Sequence, residues 1–122
     1  MNKPTRSSMP SRNELLKRLY DSFNSRDLEG ALAAMHSDVM WANGLDGGHV
    51  HGHDEVREYW QDQWKKMDSR AEPLEYHDNS DGTAYVDVHL TARDHDGKLL
   101  FDTQTRHMFR FEGSVIRRFD IG

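Results

Sequence analysis

Between Leu15 and Trp64 the spacing of apolar residues changes twice, and that change limits the chain to a mixed α+β architecture. Leu15, Leu16, Leu19, Tyr20 and Phe23 fall on one face of a helix. Ser11 stands three residues before Glu14, the spacing of a capping box, so this helix is predicted to start just after Ser11. Asn24-Ser25-Arg26-Asp27 breaks the pattern. Asp27 is placed to cap a second, shorter helix bearing Leu28, Ala31, Leu32 and Met35, and Ser37-Asp38 reads as a turn. Val39, Trp41 and Asn43 then alternate with Met40 and Ala42, as in a short strand. Gly44 to Gly52 holds four glycines and reads as a loop or a small hairpin. A third helix is predicted from Asp54, with Val56, Tyr59, Trp60, Trp64 and Met67 in one stripe.

The remainder is strand-like. Leu74–Asp78 is one predicted strand. In Ala84–Asp94, Val86, Val88, Leu90 and Ala92 alternate with Tyr85, Asp87, His89, Thr91 and Arg93. Asp96-Gly97 signals a two-residue hairpin loop. That loop would pair Val86 with His107, Val88 with Thr105 and Leu90 with Thr103 on the apolar face. On the other face it would pair Asp87 with Arg106, an opposite-charge pair that supports the register. The strand from Leu99 to Phe111 is followed by a Glu112-Gly113 turn and a last strand, Val115–Ile121.

Composition narrows the class. With 122 residues there is room for one domain, and only 35% of them are apolar, so its core must be compact. Three Trp, four Tyr and five Phe supply much of that core. A net charge of −5 argues against a nucleic-acid partner, which needs a basic face. No apolar run is long enough for a membrane span. The chain has no cysteine, hence no disulfide framework and no thiolate chemistry, which fits a cytoplasmic setting. The polar, Pro-punctuated residues 1–10 read as a disordered tail, leaving residues 11–122 as a single α+β domain.

Three segments, FNSRDLEGALAAMHSDVMWANG, GHDEVREYW and HMFRFEGSVIRRFDIG, resemble in order and spacing the nuclear transport factor 2-like superfamily. Within it, the chain looks most like the small SnoaL-like proteins. The resemblance implies a cone-shaped roll, with three N-terminal helices packed on a curved antiparallel or mixed sheet. It also implies a pocket at the mouth of the cone for a small hydrophobic molecule, and a homodimer through the outer sheet face. Overlaid on the ketosteroid isomerases of the same superfamily, the carboxylate base falls on Asn43, the tyrosine on Leu19 and the protonated aspartate on His107. An amide cannot take the proton that a carboxylate base takes, so steroid isomerisation by that route is not expected. Trp41-Ala42-Asn43 partly imitates the water-holding pair of limonene epoxide hydrolases, but Trp41 lacks their hydroxyl.

The candidate catalytic residues are His107 and Asp120. His107 belongs to the inward face of its strand, where an imidazole can move protons near neutral pH. The alternative is a core histidine held by one hydrogen bond. Arg118 and Asp120 share a face of the last strand. A two- or four-residue turn would bring that face beside His107, and a three-residue turn would point it outward. Asp120 would then orient His107, and Arg118 would hold an anionic oxygen; the alternative is a partly exposed ion pair. Trp41, Asn43, Tyr59, Trp60 and Arg118 are the candidate ligand-binding residues. For Asn43 the alternative is turn formation before Gly44, and for the aromatics it is plain core packing. His49, His51 and His53 form an H-x-H-x-H run, but in a glycine-rich loop; neither a metal site nor a cofactor is expected. Two functions remain open. One is a cofactor-independent acid–base enzyme of isomerase, cyclase or hydrolase type, acting on an apolar carbonyl-bearing or polycyclic molecule. The other is a non-catalytic ligand-binding or dimeric interaction module.

Overall fold

A computed structural model describes residues 11–122; the expected disordered tail, residues 1–10, lies outside the described residues. Helix α1 (Arg12–Ser25) starts at the capping box. Ser11 Oγ accepts from the Glu14 N–H, and the Glu14 carboxylate accepts from the Ser11 N–H. It ends at Arg26, whose left-handed backbone lets its N–H cap the last turn. Asp27 caps the short helix α2 (Leu28–Leu32) by accepting from Gly30 N–H.

Strand β1 (Met35–Ala42) starts earlier than the sequence indicates. Met35 is not the end of the helical stripe, and Ser37-Asp38 is no turn. Tertiary pairing overrides the local signal here: Met35 lies opposite Ile116, and the Ile116 N–H donates to Ala34 O at 2.8 Å. After β2 (His49–His51) comes helix α3 (Gly52–Lys66), then β3 (Asp68–Asp78), β4 (Thr83–Arg93), β5 (Leu99–Glu112) and β6 (Val115–Ile121). The third helix therefore follows two strands rather than completing an N-terminal helical block.

Strand β3 is longer than expected because the Asn24 side chain anchors its start. Asn24 Nδ2 donates to Ala71 O at 2.7 Å, and Ala71 N–H donates back to Oδ1 at 2.9 Å. The amide thus satisfies backbone groups that an edge strand would leave unpaired. Pro73 is tolerated for the same reason, since β3 ends the sheet.

The six strands form one curved mixed sheet in the order β2-β1-β6-β5-β4-β3, with β1 and β6 parallel and all other pairs antiparallel. Leu16, Leu19 and Tyr20 of α1 and Val56 and Trp60 of α3 bury against Val86, Val88, Phe109 and Phe119 of the sheet. Among the described residues, no helix is long and apolar enough to cross a membrane.

Two hairpins set the faces. Between β4 and β5, Val86 lies opposite His107, Val88 opposite Thr105 and Asp87 opposite Arg106, the register expected. The loop, however, is longer than two residues. Asp94 pairs with Lys98, and Gly97 at φ 91° closes a turn onto Asp94 O. A bulge between Ala92–Phe101 and Arg93–Leu99 then restores the register.

The β5–β6 hairpin does not restore itself. Phe111 lies opposite Ile116, but a bulge then places Arg110 opposite Arg118, Phe109 opposite Phe119 and Met108 opposite Asp120. Phe119 therefore shares the inner face with His107, and Arg118 and Asp120 turn to the outer face. The expected grouping of His107 with Arg118 and Asp120 is not formed, because one extra residue at the bulge reverses the alternation.

Candidate functional site: an aromatic cavity with a buried histidine–tyrosine pair

The helices and the inner sheet face line a half-open cavity of about 400 Å³. Phe23 of α1, Trp41 of β1, Trp60 of α3, Phe109 of β5 and Phe119 of β6 form its apolar walls. Trp41 stacks on Phe119 with ring centroids 4.1 Å apart and meets Trp60 edge-on at 5.6 Å. These contacts pack the aromatic walls against one another. The polar lining is sparse: Tyr20, Tyr59, Gln63, Thr103, Gln104, Thr105 and His107. Among the described residues, no Asp, Glu, Lys or Arg lines the cavity.

His107 is 7% exposed, and its Nδ1 lies 2.7 Å from the Tyr20 hydroxyl. The two rings are nearly parallel, with Phe119 edge-on to the imidazole at 4.8 Å. Burial drives the imidazole down from its ordinary 6.5 to about 4, because the charged form loses its water. Burial likewise pushes the Tyr20 phenol well above its ordinary value, with Tyr76 adding to the effect. Both groups are therefore neutral at pH 7. A neutral imidazole carries one N–H, and only one tautomer satisfies the pair. With the proton on Nε2, Tyr20 O–H donates to Nδ1. With the proton on Nδ1, the buried phenol would have no acceptor for its own proton among the described residues. In the first tautomer His107 accepts from Tyr20 at Nδ1 and keeps its own proton on Nε2.

Tyr59 of α3 also lines the cavity. Its oxygen accepts from Gly44 N–H at 3.0 Å and from Gln63 Nε2 at 3.4 Å, which leaves its hydroxyl proton to donate. Burial raises this phenol too, though the bond from Gly44 opposes it.

The remaining candidates lie elsewhere. Asn43 forms its own turn: Oδ1 accepts from Leu45 N–H and Asp46 N–H, both at 2.9 Å, and the side chain does not line the cavity. Asp120 sits on the outer face, 2.7 Å from His49 Nε2 and 2.8 Å from Arg118 Nε. The Arg118 guanidinium holds this carboxyl below the usual range. Trp64 packs on Phe23 and Trp60 outside the cavity lining. The three histidines of the H-x-H-x-H run diverge. His49 meets Asp120, His51 lies 3.7 Å from Asp38, and His53 Nε2 donates to Met35 O.

Tyr20 is the residue that sequence reasoning missed. The superfamily overlay put the tyrosine position on Leu19, one residue away. On a helix that is a rotation of about 100°, enough to change which side chain meets the strand. The signal was present: a tyrosine on a buried stripe needs a partner for its hydroxyl, and His107 was the one inward imidazole placed by the β4–β5 register.

The comparisons agree with this architecture. The SnoaL-like domain family matches residues 16–120, so the chain belongs to the SnoaL-like family, within the nuclear transport factor 2-like superfamily. A nuclear transport factor 2-like protein of unknown function from Burkholderia pseudomallei is 27% identical, with a TM-score of 0.81 over 93% of this chain and 91% of that one. TerC, co-crystallised with polyporic acid, is 23% identical, with a TM-score of 0.79 over 90% of this chain and 88% of its own. A Mycobacterium tuberculosis protein in complex with estradiol-17beta-hemisuccinate is 15% identical, with a TM-score of 0.79 over 89% of this chain and 90% of its own. Among curated proteins none matches.

Proposed function

We propose that the cavity binds a small, largely apolar ring compound bearing a carbonyl or similar acceptor oxygen, and that His107 Nε2–H holds that oxygen. The observation that carries this reading is the Tyr20–His107 bond at 2.7 Å inside an aromatic, uncharged cavity. A cavity of about 400 Å³ suits a compact organic ligand. The lining supports an apolar body with few polar anchors, and Tyr59 offers a second donor. TerC and the Mycobacterium tuberculosis protein were each solved with a ring compound, which supports the same ligand class here.

The chemistry that fits is polarisation of a carbonyl by neutral donors, with no cofactor. Donors aimed at a developing oxyanion in a dry site are effective because they need no reorganisation. Isomerase- or cyclase-type reactions, in which charge gathers on such an oxygen, fit this arrangement. His107 acts in them as donor rather than as base: an imidazole at about 4 takes up a proton weakly at neutral pH. Asp120 and Arg118, on the far side of the sheet, have no part in it.

Quenching of tryptophan fluorescence by androstenedione, a flat diketone, and by a naphthoquinone tests the reading. Wild type is expected to show saturable quenching through Trp41 and Trp60 with at least one of them. His107→Ala is expected to weaken binding about tenfold or more, the loss of one buried hydrogen bond. Tyr20→Phe should weaken it less, by releasing the tautomer, and Asp120→Asn should leave it unchanged. Equal affinity in wild type and a folded His107→Ala contradicts the role given to His107.

A further inference from the structure

The outer face of the sheet carries a second constellation, separate from the cavity. A bulge in β3 between Pro73 and Glu75 puts Glu75 opposite Asp87 and His77 opposite Tyr85. His77 Nε2 lies 3.2 Å from Glu75 Oε1 and 3.5 Å from Asp87 Oδ2. One donor atom from each of the three residues lies within 4.8 Å of the others. Yet His77 Nε2 is closed off from solvent and makes no hydrogen bond among the described residues. The two oxygens are near enough for an ion pair, but neither makes a hydrogen bond with the ring nitrogen. A buried nitrogen left in that state needs a water or an ion to satisfy it.

We propose that Glu75, His77 and Asp87 bind a divalent transition-metal ion of the zinc type, through one imidazole nitrogen and two carboxylate oxygens.

The distances fit that ion. Zinc bonds of about 2.0–2.1 Å in a tetrahedron set neighbouring ligand atoms about 3.3–3.4 Å apart. The two His77 distances, 3.2 and 3.5 Å, bracket that edge. Oxygens that make no hydrogen bond to the nitrogen can still ligate a tetrahedral ion, because the metal itself would occupy the lone-pair direction. Glu75 is exposed, so its side chain is free to close the remaining gap to Asp87.

The surrounding groups orient the ligands. The His77 ring stacks on Tyr85 at 4.2 Å. Arg106 Nε donates to Asp87 Oδ1 at 3.0 Å, which leaves Oδ2 for His77. Arg106 also lies over the Tyr85 ring at 4.0 Å. Such supporting bonds fix ligand geometry at metal sites. A mixed nitrogen–oxygen set of three favours zinc over calcium or magnesium, which take six or more ligands, chiefly oxygens. Glu75 and Asp87 also border an open depression of about 600 Å³, which offers room for a fourth, exchangeable ligand.

Titration of the full chain with Zn²⁺ alone by calorimetry, and with Co²⁺ as an optical probe, tests the site. The expected result is one Zn²⁺ per chain and the absorption of tetrahedral Co²⁺. His77→Ala removes a direct ligand, so it should lower the affinity by more than the roughly hundredfold that loss of a supporting partner costs and remove that absorption, and Asp87→Asn should do likewise. A His49→Gln/His51→Gln variant, which removes the competing histidine run, should bind as wild type does. If His77→Ala fails to fold by circular dichroism, His77→Gln replaces it, and the wild-type His77 ring-proton shift on adding Zn²⁺ reads the same site. No binding at micromolar Zn²⁺, binding unchanged in the His77 variants, or binding lost in the His49/His51 variant overturns the proposal.

Discussion

Trp41→Ala should cost about 3–5 kcal/mol of folding free energy, the range for removing a buried large aromatic. Trp41 is 5% exposed and stacks on Phe119, with Trp60 and Phe109 against its edges. Its removal would leave the three rings without their common neighbour. The void would open onto the existing cavity, so the walls have little to collapse against. A small domain has about 5–15 kcal/mol in total, so this one change takes a large share. Urea unfolding at fixed pH measures it. Leu74→Ala, at a residue 51% exposed, is the control and should stay within about 0.5 kcal/mol of wild type. A loss below about 1 kcal/mol for Trp41→Ala would mean that the aromatic wall is not the packed structure described.

Acid should weaken the fold through His107, and the sign follows from its burial. The folded-state imidazole sits at about 4, below the ordinary 6.5, so as pH falls the unfolded chain takes up the proton first. The stability supplied by the neutral ring is fully present above about pH 6.5. It is lost as pH falls towards 4. At about 1.4 kcal/mol per pH unit, that gap corresponds to about 3 kcal/mol. Other titrating groups contribute to the same acid range, so the test is a difference between proteins. His107→Gln keeps a group able to accept from Tyr20 but cannot titrate. Its stability relative to wild type should improve by about 2–3 kcal/mol between pH 7 and pH 4.5. A constant difference across that range would show that His107 is not buried as a neutral ring.

Much of the fold was legible because its local signals are strong. The capping box at Ser11 and Glu14, the Asp27 cap and the stripe of α3 all rest on short-range chemistry. The β4–β5 register was reached by two errors that cancel: the loop is longer than Asp96-Gly97 implies, and a bulge takes up the difference. What held the register was the alternation itself, since a slip would have buried Asp87 and exposed Val86.

The β5–β6 hairpin had no such safeguard. Arg118 and Asp120 are tolerated on an outer face, and no glycine marks the bulge that turns them there. Their assignment to the cavity wall failed for that reason. Asn43 resolved to the turn-forming role that its place before Gly44 suggested. Tyr20 was missed because a one-residue error of overlay on a helix changes which face a side chain serves. The Glu75–His77–Asp87 cluster was invisible for a related reason: it depends on a bulge in β3 that the sequence around Leu74 does not announce.

The donor role of His107 can be read directly from the ¹⁵N spectrum of its imidazole at pH 7, with and without a quenching ketone. The expected spectrum shows a neutral ring protonated on Nε2, with Nδ1 accepting from Tyr20, and an Nε2 resonance that moves when the ketone binds. A ring protonated on Nδ1, or an Nε2 resonance that stays fixed while the ketone binds, would contradict it.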